Sequence, residues 1–203
     1  MYKLYSMAGS CSLGVHVFLN ELGQNFELVP HGDAEFKKKV PFGSVPVLQD
    51  GDLILHEGAS IMQYLAEKHP SDLLPASGDA KWKAFDWMMI ANATVHANYA
   101  KLFAAANTME DSPEKIKYME TLAEKISATW AVVDEQLAKT RFVCGDEPTI
   151  ADIWLSVYAN WGGYFPVEIS LGDNVERMIR EVIARPAYQK ALATEEVEYK
   201  AVA

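Results

Sequence analysis

The chain has 203 residues, of which 50% are hydrophobic and 23% are charged, and its formal net charge is −10. This composition is typical of a globular protein with one large domain or two small ones. Nucleic-acid binding is not expected, because it needs a basic face and the largest basic cluster is Lys37-Lys38-Lys39. We interpret that triplet as a solvated loop.

Targeting segments and metal sites are not expected either. The first residues enter a strand pattern with no apolar signal segment, and no apolar run reaches the roughly 18 residues that a membrane helix needs. Cys11 and Cys144 are too few for a disulfide framework, and the five histidines show no metal-ligand spacing with them. We therefore expect a cytoplasmic protein without a membrane segment or a metal.

The chain opens with a strand, a turn and the start of a helix. Residues 2–6 alternate as a strand does, and Gly9 supplies a flexible turn. Ser10 is a good N-cap for the apolar helical pattern over 13–22. This order places Cys11 in the first turn of the helix.

Cys11 has two interpretations from the residues alone. Backbone N–H groups and the positive end of the helix dipole are expected to lower the thiol pKa and favour the thiolate. A lone cysteine is, however, often an inert buried side chain. No second cysteine forms a C-x-x-C pair, so any redox chemistry would use one thiol and a small-molecule partner.

The pattern continues as a β-α-β unit followed by two strands and a helix. A second strand is predicted over 25–30, with a short helix possible around 34–39. A strand that starts at Pro46 and a strand over 53–56 flank an Asp-Gly turn. A cis Val45–Pro46 peptide is possible on general grounds.

Glu57-Gly58-Ala59-Ser60 opens the next helix. Free N–H groups at such a start can bind a carboxylate or phosphate, and Glu57 beside them could hold an amino group. Glu57 could equally do no more than complement the helix dipole. The residues alone leave both interpretations open.

The rest of the chain is predicted to be helical. Residues 71–79 form a linker rich in Pro, Ser, Gly and Asp, and the acidic tail from Thr194 is expected to be frayed. Thr149-Ile150-Ala151-Asp152 is a capping-box start for a central, very apolar helix. The other helices are predicted over 82–103, from Ser112-Pro113 to about 138, over 175–184 and over 186–192. We thus expect an α/β domain over 1–70 and an all-α domain over 80–203.

This order of elements resembles the glutathione transferase superfamily over nearly the full chain. Gly9-Ser10-Cys11-Ser12-Leu13 is similar to the G-A-C-S-L of the bacterial beta class, and residues 41–48 are similar to P-x-G-x-V-P-x-L, which carries the family's cis-proline. Residues 57–65 resemble that class's E-G-x-A-I-x-x-Y-L, and residues 149–152 the family's buried capping box. The resemblance implies a thioredoxin-like first domain and an all-helical second domain.

The resemblance also implies the roles of individual residues. It puts Cys11 and His96 beside the sulfur of glutathione, where Cys11 can form a mixed disulfide, and Cys144 at an inert structural position. It implies that the Val45 backbone, ahead of Pro46, pairs with the cysteinyl part and that Glu57 and Gly58 hold the γ-glutamyl end. The candidate site is therefore catalytic Cys11 and His96 with glutathione-binding Ser10, Ser12, Val45, Pro46, Glu57, Gly58 and Ala59. Tyr5, Ser10 and Ser12 are the fallback hydroxyl donors.

Three departures from the family pattern affect the expected function. Val40 stands where the family has Asn, and Met89 where the beta class has Asn. The segment between the second strand and Pro41 is shorter than in beta-class relatives, so the residue that holds the glycyl carboxylate is not assigned, with Lys37 or Lys38 as candidates.

We expect a homodimeric glutathione transferase that uses glutathione as co-substrate against a hydrophobic electrophile or a disulfide. The alternative is a non-catalytic or regulatory glutathione-binding protein of the same fold. An apolar set of side chains could form either core or substrate pocket: Met88, Met89, Tyr99, Phe103, Trp161 and Tyr164.

Overall fold

The computed structural model of the chain describes residues 1–202. The first part contains four strands and three helices: β1 (Tyr2–Ser6), α1 (Ser12–Glu21), β2 (Phe26–Pro30), α2 (Phe36–Lys39), β3 (Val47–Asp50), β4 (Leu53–Leu55) and α3 (Gly58–Lys68). The rest is helical: α4 (Gly78–Met89), a π-helix (Ile90–Val95), α5 (His96–Thr108), α6 (Pro113–Leu137), α7 (Ile150–Asn160), a 3₁₀ turn (Trp161–Tyr164), α8 (Asp173–Ile183) and α9 (Pro186–Glu195). The predicted fold class is confirmed.

The four strands form one mixed sheet in the order β2-β1-β3-β4. β1 runs parallel to β2, with Tyr2 opposite Phe26, and antiparallel to β3, with Leu4 opposite Leu48. The parallel pair needs a crossover connection, which α1 provides. The Val45–Pro46 peptide that leads into β3 is cis.

The helix predicted over 82–103 is longer than the sequence suggested. Helical backbone runs from Gly78 to Thr108, with the π-helix between α4 and α5. Short π-helical segments within α-helices are often found at functional sites, and this π-helix ends directly before His96. The basic triplet 37–39 lies in the short helix α2 and not in a loop.

Two predicted helix starts are confirmed by their caps. The Ser112 hydroxyl accepts a hydrogen bond from the Lys115 N–H, and Pro113 is the first residue of α6. The capping box at the start of α7 is formed, and every residue over 150–160 is buried. Complete burial makes α7 the central helix, as its apolar sequence predicted.

The predicted linker over 71–79 is partly packed. Leu73 and Leu74 are buried, and the Leu73 carbonyl accepts the N–H of Ile150 at 2.9 Å. α4 begins inside the predicted linker, at Gly78. The division into domains over 1–70 and 80–203 stays a prediction.

The prediction of a frayed tail from Thr194 is wrong. α9 continues to Glu195, which is buried, and its carboxylate contacts the His16 ring nitrogen at 2.7 Å. The Tyr199 hydroxyl donates to the Ser156 carbonyl at 2.6 Å. These partners lie far away along the chain, so the local acidic composition could not reveal them.

Within residues 1–202, no helix combines the length and the apolar character that crossing a membrane requires.

Candidate functional site

A cavity of about 580 Å³ lies between the β1–α1 turn, the segment before β3, and α5. On α5 the lining residues follow helical spacing from His96, so they share one face. The complete lining is Met7, Ala8, Gly9, Ser10, Cys11, His31, Gly43, Ser44, Val45, His96, Ala100, Phe103, Asn107, Trp161 and Tyr164. The cavity therefore brings the α/β part and the helical part of the chain together.

Gly9 fixes the turn that carries Cys11. Its φ of 69° is in the left-handed region, which favours glycine. Its N–H donates to the Glu195 carboxylate at 3.0 Å, and its carbonyl accepts from the Trp161 indole N–H at 2.8 Å. Side chains from the helical part thus bind both the N–H and the carbonyl of Gly9.

Ser10 and Ser12 have different places in this turn. The hydrogen-bonded helix begins at Ser12, so the N-cap position falls on Cys11 and not on the predicted Ser10. The Ser10 hydroxyl still accepts from the Ser12 N–H at 3.2 Å, and Ser10 lines the cavity. The Ser12 side chain is fully buried and donates to the Met7 carbonyl at 3.2 Å. Ser12 is therefore part of the turn and not of the cavity wall.

The Cys11 thiol donates a hydrogen bond to the Val45 carbonyl, with 2.9 Å between sulfur and oxygen. Burial raises the pKa of this thiol to about 12, although the N–H groups of Cys11 and Ser12 and the Ser10 hydroxyl act to lower it. The expectation of a lowered pKa is wrong, because the cost of desolvating a thiolate exceeds the stabilisation from the helix start. Cys11 is therefore a neutral thiol in the free protein near neutral pH.

His96 reaches the same cavity from the first turn of α5. Its ring packs against those of Tyr158 and Trp161, with centroid distances of 5.4 Å to each. Burial lowers the pKa of His96, and the charge of Glu57 acts in the opposite direction. The imidazole is thus neutral near neutral pH and keeps a nitrogen lone pair.

Pro46, Glu57, Gly58 and Ala59 do not line the cavity. A Cβ atom on Gly58 would lie 2.9 Å from the Trp154 ring and 3.5 Å from Cγ of Pro46. The Trp154 indole N–H also donates to the Cys11 carbonyl at 3.3 Å. Trp154 therefore links the starts of α1 and α3. Glu57 is exposed, and no side chain among residues 1–202 caps α3.

Several residues that were candidates for the site lie outside the cavity. The Tyr5 hydroxyl lies 3.1 Å from the Glu35 carboxylate and 3.0 Å from the Gln49 side-chain oxygen, and Tyr5 does not line the cavity, so its fallback role there is wrong. Phe103, Trp161 and Tyr164 line the cavity, whereas Met88 and Tyr99 are fully buried core and Met89 is outside the lining. Burial raises the pKa of Cys144 to about 11, which fits the inert position expected for it.

Sequence reasoning missed part of the cavity wall. The residues that it missed are Met7, Ala8, His31, Gly43, Ser44, Ala100 and Asn107. Helical spacing from His96 could have found Ala100 and Asn107, because they share its face. His31 lies in a loop after β2, where no periodic pattern exists. Neither Lys37 nor Lys38 lines the cavity.

No metal centre is formed: the part of the chain that the structure describes holds no group of three or more His, Cys, Asp or Glu side chains suited to a metal ion.

Comparison with known proteins gives consistent matches over most of the chain. The family model "Glutathione S-transferase, N-terminal domain" matches residues 4–74, and "Glutathione S-transferase, C-terminal domain" matches residues 93–186. Glutathione S-transferase GstA of Escherichia coli O157:H7 is 30% identical over 205 residues, which covers 95% of this chain and 98% of the relative.

Solved structures of related proteins also superpose on nearly the full length of the chain. The glutathione S-transferase from Xylella fastidiosa superposes with a TM-score of 0.87 at 27% identity and covers 98% of this chain and 100% of its own. A sphingomonad glutathione S-transferase complexed with glutathione gives a TM-score of 0.83 at 27% identity, with 97% and 100% covered.

Proposed function

The chain belongs to the glutathione S-transferase family and is a glutathione transferase, and we propose that Cys11 acts beside the glutathione sulfur in its reaction. The observation that carries this proposal is the shared cavity, in which Cys11 and Val45 from one part of the chain face His96 from the other. A site at the junction of two parts of a chain is a common place for small-molecule binding.

Glutathione would bind along the segment from Val45 to the start of α3. We propose that the Val45 carbonyl accepts the N–H of the cysteinyl residue, with Pro46 holding the segment in place. The uncapped N–H groups of Gly58 and Ala59 would bind the γ-glutamyl carboxylate, and Glu57 its ammonium group. The sphingomonad relative, solved as a complex with glutathione, supports this choice of ligand.

The proton on the glutathione thiol would pass to His96. The lowered pKa of His96 supports this role, since a neutral imidazole can accept a proton near neutral pH. Cys11, whose raised pKa keeps it protonated, would then donate its S–H to the glutathione thiolate. Ser10 lies at the cavity wall as the next hydroxyl donor.

The glutathione thiolate would attack the second substrate in the apolar part of the cavity, where Phe103, Trp161 and Tyr164 form the wall. With an electrophile, a sulfur–carbon bond forms and the leaving group departs with its electron pair. With a disulfide, a new sulfur–sulfur bond forms and the other sulfur leaves as a thiolate. The raised pKa of Cys11 favours the hydrogen-bond donor over the nucleophile in the free protein.

The working form and location are proposals as well. We infer a cytoplasmic homodimer that needs no metal. The large apolar side chains of Phe42 and Trp82 support the dimer, because they are 78% and 65% exposed and a second copy would cover such groups.

Replacing Cys11 tests the proposal most directly. In Cys11→Ala, kcat/KM with glutathione and an aromatic electrophile should fall about tenfold or more, because a donor to a charged sulfur is lost. Cys11→Ser should recover part of the loss, since it keeps a donor. Steady-state kinetics at saturating electrophile measure the effect, and Cys144→Ala is the matched control.

Unchanged kcat/KM in Cys11→Ala would contradict the role of Cys11. Tight glutathione binding by the natural chain without any turnover would instead favour the non-catalytic binding protein. A mixed disulfide on Cys11 after treatment with oxidised glutathione, absent in Cys11→Ala, would show that the thiol can also act as a nucleophile.

A further inference from the structure

Glu195, at the end of α9, carries a buried carboxylate that the proposed reaction does not use. Its side chain and that of His16 on α1 are each 2% exposed. One carboxylate oxygen, Oε2, accepts the N–H of Gly9 at 3.0 Å, and the other, Oε1, lies 2.7 Å from Nδ1 of His16. Because a carboxylate only accepts hydrogen bonds, Nδ1 carries the hydrogen in this contact. Glu195 therefore joins the β1–α1 turn to the His16 ring.

The His16 ring is itself held in place by its neighbours. Phe26 of β2 packs edge-on against it, with 5.2 Å between the ring centroids. α1 and α9 are also joined by the Asn20 side chain, which donates to the Ala187 carbonyl at 3.2 Å. A packed and hydrogen-bonded support of this kind fixes the direction of a side chain. The Glu195 carboxylate is thus directed at Gly9.

Stability alone does not account for a carboxylate and a histidine in this place. Taking charged groups out of water can cost more free energy than their attraction returns, and well-packed apolar side chains of similar volume are often at least as stable. Buried residues beside the pair on α1 and α9, among them Val15, Val17 and Leu192, are apolar. The carboxylate adds one feature that an apolar side chain would lack, which is an acceptor for the Gly9 N–H.

The bond to Gly9 acts on the turn that carries the thiol. Gly9 stands two residues before Cys11, and its carbonyl is held by the Trp161 indole N–H at 2.8 Å. After the turn, the Cys11 sulfur meets the Val45 carbonyl at 2.9 Å. Val45 and His96 stand on other elements, so a shift of the turn would move the sulfur relative to both.

We propose that Glu195 is a positioning residue for Cys11, whose buried carboxylate holds the Gly9 N–H and thereby fixes the thiol against the Val45 carbonyl. His16 orients this carboxylate. Without the acceptor, the Gly9 N–H is buried and unpaired, which is costly, so the turn shifts towards water and takes Cys11 with it. This inference rests on the proposed function only in taking Cys11 as the working thiol.

The test separates the acceptor from the packing. In the double variant Glu195→Leu with His16→Phe, apolar side chains of similar volume fill the core, and the Gly9 N–H loses its partner. Urea denaturation should give this variant a stability close to that of the natural chain. Glu195→Gln is the conservative variant, because its amide oxygen can accept from Gly9 while its amide N–H donates to a neutral His16 ring.

The readout is alkylation of the glutathione-free protein by iodoacetamide, with Cys11 and Cys144 followed separately by peptide mapping. The thiol proton goes to solvent, the sulfur forms a bond to carbon, and iodide leaves. Burial raises the pKa of Cys11, so a thiol that moves towards water reacts faster at the same pH. The Cys11 rate should rise about tenfold in the double variant, as for a fall of about one pKa unit, and stay near the natural rate in Glu195→Gln.

Asp134→Ala is the matched control. The Asp134 carboxylate on α6 also accepts backbone N–H groups from another element, those of Asn174 and Val175 at 2.8 and 3.1 Å, and Asp134 does not line the cavity. This variant should lose stability without any change in the Cys11 rate. The Cys144 rate should be the same in every sample.

An unchanged Cys11 rate in the double variant would overturn the inference, as would an equal rise in Glu195→Gln or Asp134→Ala. A Cys144 rate that rises together with the Cys11 rate would show general loosening and would also overturn it. Glu195→Ala removes the same acceptor and must give the same rise in the Cys11 rate, so the outcome does not depend on the folding of one variant.

The transferase assay keeps this inference apart from the proposed function. The double variant should lower kcat about tenfold with little change in KM for glutathione, because Val45 and the start of α3 keep their contacts with the ligand. The expected alkylation result with an unchanged kcat would uphold the positioning of Cys11 by Glu195 and reject the role of Cys11 in the transferase reaction.

Discussion

The starts of α7 and α3 differ in how their first N–H groups find hydrogen-bond partners. At α7, the Asp152 carboxylate accepts hydrogen bonds from the N–H groups of Thr149 and Val143 at 2.7 and 2.9 Å and from the Thr149 hydroxyl. At α3, Glu57 occupies the N-cap position without a capping hydrogen bond. The start of α7 is therefore capped by the chain itself, and the start of α3 is open.

The difference in capping distinguishes a helix start that stabilises the fold from one that can bind a ligand. A closed start satisfies its N–H groups at all times, so it stabilises the fold. An open start leaves donors for a ligand and gives up that stabilisation in the free protein. Trp154 connects the two kinds, because it follows the closed start of α7 and packs against the open start of α3. The capped start of α7 thus helps to position the open start of α3.

Asp152→Ala should have the largest effect on stability. The change leaves the Thr149 and Val143 N–H groups buried without partners, and each such loss costs about 1–3 kcal/mol. We expect the free energy of unfolding to fall by about 3–5 kcal/mol, as measured by urea denaturation.

Asp146→Ala is the control for this variant, because Asp146 is an exposed carboxylate in the same loop. It should change stability by less than about 0.5 kcal/mol. Equal stabilities for the two variants would show that the capping box does not stabilise the fold as described.

His96→Gln tests the cavity rather than the capping box, and it should have the next largest effect. If His96 takes the glutathione proton, kcat/KM should fall by about 100-fold. The lowered pKa of His96 also predicts a particular pH dependence of activity. In the natural chain, activity should fall only as pH drops below about 6.5, the ordinary histidine value, and the variant should lose this acid limb.

The stability of the natural chain should decrease over the same pH range. The folded pKa of His96 is below the unfolded one, so the unfolded state binds the proton first as pH falls below about 6.5. His69→Gln, at the far end of α3, is the kinetic control. An acid limb that persists in His96→Gln would assign the proton transfer to another group.

The sequence predicted the features that depend on neighbouring residues. The capping box, the Ser112-Pro113 helix start and the strands around the Asp-Gly turn are local patterns, and all are formed. The pairing of β1 with β2 followed from the crossover rule. The cavity residues on α5 could also have been derived, because helical spacing extends from His96.

The features that the sequence missed depend on distant contacts. Glu195 was assigned to a frayed tail, yet it binds His16, 179 positions away. The pKa of Cys11 was expected to fall, because the helix start is visible in the sequence and the burial that raises the pKa is not.

Glu57→Ser would turn an open helix start into a closed one and should have the smallest effect. Ser is a favoured N-cap, and the extended backbone of Glu57, with φ −109° and ψ 128°, suits that position. We expect a gain of about 1 kcal/mol in the free energy of unfolding, because the new hydroxyl satisfies an N–H group of α3.

The same change should weaken glutathione binding. KM for glutathione should rise about tenfold with little change in kcat, because the ammonium group loses its carboxylate partner. Glu57→Gln removes the charge without adding a cap, so it should raise KM equally and leave stability unchanged. Glu67→Gln, on the exposed side of α3, should alter neither quantity. If Glu57→Ser gained stability while KM stayed constant, the donors at this helix start would not be the ones that bind glutathione, and the opposition between capping and binding would fail at α3.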